Sequence, residues 1–161
     1  MPDYSFVTIW HLAAPIERVF DLIDDSLAWP DWWPSVLTVE EVEAGAHDHL
    51  GNVRRYTFRG RLPYLLRFDM RLIRRERPTG LEGTATGELE GVGRWSLSAE
   101  GEGTVVRYEW NIRTTRWWMN LFAPLPFVDS IFRLNHHAVM RDGLSGARRR
   151  LGVEGAYERV L

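Results

Sequence analysis

Tyr56 and Tyr108 sit within alternating apolar segments, and Arg54 and Arg74 stand near the ends of theirs. If the apolar phase of each segment faces inward, all four side chains face inward with it. A tyrosine hydroxyl or a guanidinium group can polarise a carbonyl. Tyr56, Tyr108 and Arg74 are therefore the candidate catalytic residues, with Trp110 and Asn135 as further polar groups. The same phase turns no carboxylate or histidine inward to act as a general base near neutral pH. Tyrosines beside an apolar space more often satisfy a hydrogen bond at its rim, and arginines at strand ends reach solvent. The set therefore suits binding better than catalysis.

Other chemistries are poorly represented. His136 and His137 are adjacent on an expected helix and so point about 100° apart. They cannot share one metal ion from a single face, and the paired histidines spaced by four are missing. His136, next to Asn135, is the better functional candidate of the two. His47-Asp48-His49 falls in a turn and reads as solvent-facing. The chain has no cysteine, which excludes disulfides, thiolate nucleophiles and cysteine-bound metals. It also has no lysine, and all 20 basic residues are arginine, so Schiff-base chemistry is excluded. Neither a phosphate-cradling glycine loop nor a Gly-x-Ser-x-Gly elbow occurs. No metal and no cofactor are expected.

At 161 residues, 45% hydrophobic and 26% charged, the chain reads as one globular domain. A net charge of −2 argues against a general nucleic-acid binder. The N-terminal residues lack the pattern of a secretory signal, and no apolar run approaches the roughly 18 residues of a membrane span. A cytoplasmic location is the expectation.

These side chains must be positioned by strands. Residues 4–12 alternate as a first strand. Pro15 suits the first position of a helix, with Ile16, Val19, Phe20 and Ile23 as its apolar stripe. Trp29-Pro30-Asp31-Trp32-Trp33-Pro34 is an aromatic elbow that reads as a hydrophobic plug at one end of the core. Strands are expected over 36–42, 52–60, 65–77, 81–90, 92–100 and 104–115, joined by glycine and proline turns. Such short connections favour an antiparallel meander. A final helix is expected from Pro126 to a stop at Gly152, presenting Phe127, Ile131, Leu134 and Ala138 on one row. Val128, Phe132, Asn135 and Val139 form the adjoining row. Residues 1–154 are read as one ligand-binding domain and 155–161 as a loose tail.

The inward phase makes a wall of Tyr56, Phe58, Phe68, Met70, Leu72, Trp95, Leu97, Tyr108 and Trp110, closed by Phe127, Ile131 and Asn135 from the helix. One strand turns Gly83, Ala85 and Gly87 inward, where a filled core would place larger residues. Gly87, expected between Met70 and Trp95, either seats the indole or leaves room for a guest. On the outer face, Arg67, Arg71 and Arg75 are expected opposite Glu82, Glu88 and Glu90. Trp117–Phe122 joins the last strand to the helix and is unusually apolar. A lid, a homodimer contact and a transient membrane contact remain open for it.

The motif 14–24 (Ala-Pro-Ile-Glu-Arg-Val-Phe-Asp-Leu-Ile-Asp), the aromatic elbow after it, and Asn135-His136-His137-Ala138-Val139-Met140 before Gly143-Leu144 resemble the START-related superfamily, also called SRPBCC. Within it the chain is most similar to small bacterial polyketide cyclase/dehydrase-like proteins. The resemblance implies an α+β helix-grip fold, with a curved seven-stranded antiparallel sheet around a long C-terminal helix and two short helices between strands 1 and 2. It also implies a cavity for a small apolar molecule such as a lipid, polyketide or quinone. Binding or transport of such a ligand is the expected function. The alternatives are a polyketide cyclase, aromatase or dehydratase, and a quinone or lipid chaperone that docks on membranes.

Overall fold

The computed structural model describes residues 3–160. The first strand, β1 (Asp3–Leu12), leads into helix α1 (Ile16–Asp24), whose N-cap is Pro15. The expected stripe forms, with Val19, Phe20 and Ile23 buried. A 3-10 turn at Ser26–Ala28 and the short helix α2 (Trp29–Trp32) follow. The meander then runs through β2 (Val36–Glu43), β3 (Val53–Phe58), β4 (Leu66–Glu76), β5 (Gly80–Gly87), β6 (Leu89–Glu100) and β7 (Gly103–Thr114). Helices α3 (Trp117–Phe122) and α4 (Val128–Leu151) come next, then β8 (Gly155–Val160).

The strands form one antiparallel sheet in the order β2-β3-β4-β5-β6-β7-β1-β8. Among the described residues it has eight strands where seven were expected. The additional one is β8, drawn from residues expected as a loose tail. Gly152, in the left-handed region at φ 68°, ends α4 and redirects the chain toward β1. Tyr157 then pairs opposite Trp10, and Ala13 donates its N–H to Glu154 O at 2.9 Å. Leu161 lies outside the described residues, as do Met1 and Pro2.

The aromatic elbow seats α4. Trp33 is buried and donates its Nε1–H to Val139 O at 2.9 Å. Small residues on α4 face it: a Cβ at Gly143 would come within 2.6 Å of the Trp33 ring, and one at Gly146 would collide with the Trp32 carbonyl. Trp10, Trp29, Trp32, Trp33 and Trp95 then interlock, with neighbouring ring centroids 5.0–6.4 Å apart. Offset and edge contacts of this kind stabilise beyond simple area burial.

Several expected boundaries and phases shift. β5 ends at Gly87, whose φ of +106° lets the chain reverse, so Leu89 begins β6 and is buried opposite Thr114. A β-bulge at Ile73 separates Leu72, opposite Gly83, from Arg74, opposite Glu82. A bulge inverts the faces beyond it. Arg74, expected inward, therefore pairs on the outer face with Glu76 and Glu82. Arg75, expected outward, instead binds Asp24 in a two-pronged ion pair at 3.0 and 2.8 Å. The other expected outer pairs are also redistributed. Arg71 meets Glu43, Arg67 offers only its backbone N–H to Glu88, and Glu82 and Glu90 are taken by Arg94 and Arg113.

Candidate functional site

Between the concave face of the sheet and α4 lies a hollow of about 490 Å³. That volume falls in the range of small-molecule sites. Strand alternation delivers Tyr56 and Phe58 from β3, Phe68 and Met70 from β4, Trp95 from β6, and Tyr108 and Trp110 from β7. Gly83 and Gly93 stand directly opposite each other on β5 and β6 and leave that part of the wall low. At Gly93 a side chain would strike the Trp110 ring at 2.9 Å.

Five residues expected to face the hollow lie elsewhere, Ala85 and Leu97 among them, both buried in the core. Gly87 sits at the reversing end of β5, opposite Phe68. Phe127 is 57% exposed at the N-cap of α4, and Ile131 is 38% exposed on the helix's outer row. The helix contributes Phe132, Asn135, His136, Val139 and Met140 instead. It begins at Val128, two residues after Pro126, because Trp117–Phe122 forms a helix of its own. Arg74 does not reach the hollow, whereas Arg54 does.

Each polar group has a defined setting. Tyr56 donates its hydroxyl to Ser26 Oγ at 2.8 Å, and Arg54 Nη1 donates to the same oxygen at 2.8 Å. Desolvation raises the Tyr56 and Tyr108 pKa values, so both stay protonated near neutral pH. Tyr108 stacks on Trp95 with centroids 4.1 Å apart. Asn135 is a latch for the β3–β4 connection: its Oδ1 accepts the N–H groups of Arg61 at 2.7 Å and Leu62 at 3.3 Å.

His136 faces the hollow, stacked 4.3 Å from Phe6 and 3.5 Å from Thr8 Oγ1. Desolvation lowers its pKa to about 3, with His137 and Arg133 adding repulsion. The ring is a neutral hydrogen-bonding group and a weak proton acceptor. His137 points away, toward Tyr157 on β8, and burial lowers its pKa to about 4. Among the described residues no cluster of three or more His, Cys, Asp or Glu could hold a metal ion.

Sequence reasoning missed Ser26 and did not place His136 in the wall. Ser26 lies in a 3-10 turn without strand alternation, and the expected inner row of the helix runs one step away from His136. Asp24, Asp25 and Glu82 also border the hollow; arginines hold two of them, Arg75 for Asp24 and Arg94 and Arg74 for Glu82.

The far end is closed by α3. Met119 is buried and lines the hollow, whereas Trp117, Leu121 and Phe122 face outward, Trp117 with 76% exposure. Arg116 ties this helix to the β3–β4 connection. Its guanidinium lies 5.6 Å from the centroids of both Tyr64 and Trp118 and donates to Leu65 O at 2.7 Å.

Residues 5–152 match the family described as polyketide cyclase / dehydrase and lipid transport. The chain belongs to this family. Solved structures with the same fold include a START superfamily protein from Mycobacterium smegmatis, at 14% identity and TM-score 0.72, covering 92% of this chain and 98% of that one. A protein from Thermus thermophilus aligns at 18% identity and TM-score 0.71, over 92% of this chain and 99% of the other. The di-domain aromatase/cyclase BexL of the BE-7585A biosynthetic pathway aligns at 18% identity and TM-score 0.72. That match covers 91% of this chain but only 49% of BexL, so the chain spans about half of it. Among curated proteins, none matches the chain by sequence. The family membership and these folds support the helix-grip assignment. Among the described residues, no helix is long and apolar enough to cross a membrane.

Proposed function

We propose that this protein binds a small, mainly apolar molecule in the hollow between its sheet and α4. The observation that carries this reading is the hollow itself, about 490 Å³ in volume and walled by Phe58, Phe68, Trp95 and Trp110. Packed cores seldom leave voids much larger than a water molecule, so a space of this size suits a guest. Tyr56, Tyr108, Asn135 and His136 would orient that guest at separate points along the wall. Native mass spectrometry of freshly purified protein, followed by solvent extraction, tests the reading. A stoichiometric apolar adduct is the expected result. Failure to bind any of a panel of aromatic, fatty-acyl and quinone probes at micromolar concentration would contradict it.

A second reading concerns delivery of the ligand. Trp117, Leu121 and Phe122 of α3 join Leu125, Phe127, Ile131 and Leu134 in one exposed apolar stretch. Met119 and Phe132, interleaved with them, line the hollow. An apolar surface continuous with a cavity wall favours exchange at a lipid surface. The cyclase reading draws on the family description and on the aromatase/cyclases BexL and Zhui among the proteins of similar fold. It has less local support, because His136 is a weak base, His49 is exposed at the rim, and two of the three bordering carboxylates, Asp24 and Glu82, are paired with arginine.

A further inference from the structure

The outward row of α4 changes character along its length. Ile131, Leu134, Ala138, Arg141 and Ser145 recur at three- and four-residue intervals, so they share one face of the helix. The row is apolar at its start, with Leu134 59% exposed, and turns basic and polar beyond Ala138. Arg141 is exposed, and its guanidinium lies 4.8 Å from the centre of the Tyr157 ring on β8. Arg159 projects from the same face of β8 as Tyr157, because the two stand opposite Thr8 and Trp10, which are buried on the α4 side of β1. After burial, Arg159 and Arg141 are the groups that most lower the pKa of His137, so both charges converge on this spot.

Arginines on the convex face of the sheet meet carboxylates: Arg94, Arg107 and Arg113 pair with Glu82, Glu109 and Glu90. Arg141 and Arg159 have no carboxylate partner among the described residues. Their chain neighbours are engaged elsewhere, Asp142 with Arg61 and Glu158 with His11. β8 also lies beyond residues 5–152, which match the family.

Resting on the delivery reading, we infer that Arg141 and Arg159 bind the phosphate of an anionic phospholipid while the apolar stretch from α3 to Leu134 enters the lipid surface. Two guanidinium groups without a carboxylate are the complement of a phosphodiester. Apolar and basic segments on one outward face are what a helix lying along a bilayer presents. The net charge of −2 opposes a general attraction to anionic lipid, so the contact depends on these two side chains. A soluble phosphate would engage the arginines but leave Ile131 and Leu134 in water.

Flotation of the intact protein with phosphatidylcholine vesicles, with and without a third of phosphatidylglycerol, tests this. Wild type should partition roughly tenfold more strongly into the anionic vesicles, a gain within reach of two basic residues at such a surface. Arg141→Gln/Arg159→Gln should lose that gain, keep its partition into pure phosphatidylcholine, and unfold at an unchanged midpoint. Arg107→Gln/Arg113→Gln removes the same charge from the convex face and should keep the gain. The same gain in both double variants, or none in wild type, overturns the headgroup site. Persistent binding to pure phosphatidylcholine would then leave the delivery reading standing. If wild type floats with neither vesicle, the delivery reading fails and the headgroup site falls with it. Saturable binding of glycerol phosphate without any gain on anionic vesicles would assign the arginines to a soluble phosphate and overturn the lipid partner.

Discussion

His136 and His137 are neutral for related reasons and hold different parts of the molecule. The first stacks on Phe6 against the hollow; the second meets Tyr157 on β8. Their pKa values of about 3 and about 4 lie below the value of about 6.5 for an exposed histidine. The unfolded chain therefore takes up protons below about pH 6.5 that the folded chain refuses until pH 3–4. Stability is fully present above about pH 6.5 and falls with pH through that window. The slope approaches about 1.4 kcal/mol per pH unit for each histidine. Urea unfolding at pH 7.5, 6 and 5 should show this loss. His137→Phe should remove part of the slope, and a pH-independent midpoint would contradict the assignment. Tyr56, Phe68, Trp95 and Tyr108 were legible in the sequence because strand alternation needs only a phase. Arg74 and Arg75 were not, since one extra residue at Ile73 exchanged their faces. Ser26 left no periodic trace at all.

At the scale of elements, α4 is held by close approach to the aromatic elbow as much as by its apolar row. Gly146→Ala should destabilise the fold by about 1–3 kcal/mol, the usual cost of overpacking, because its Cβ would meet the rigid Trp32 backbone. Thermal unfolding by circular dichroism checks this; an unchanged midpoint would mean that α4 can shift freely. The meander, α1 and the elbow followed from periodicity and turn residues. The eighth strand did not, because Gly155–Val160 is short and mostly exposed and gains its place by pairing with β1. Helix α3 reads as a connection in the sequence, since an apolar stretch of six residues has no helical period to detect. Its outward Trp117 and Phe122 bear on the delivery reading. Trp117→Ser/Phe122→Ser should reduce flotation with zwitterionic liposomes at least fivefold without changing the unfolding midpoint. Equal flotation would dispose of the lipid-surface contact.

For the whole molecule, the sheet curves around α4, and aromatic side chains line the space between them. The family description and the resemblance both point to such a space. Its size depends on which helix row faces in, and the exposed Phe127, Ile131 and Leu134 show how easily that row is mistaken from sequence. Val139 stands in the wall on α4, between the sheet and the elbow. A tryptophan there would occupy the hollow itself and leave the outer surfaces unchanged. The most direct measurement is therefore binding of an apolar fluorophore, N-phenyl-1-naphthylamine, to wild type and to Val139→Trp, with folding of both confirmed by circular dichroism. Saturable one-to-one binding by wild type, weakened at least tenfold in the variant, is the predicted result. Equal affinity in the two proteins would place the bound molecule outside the hollow and contradict the account.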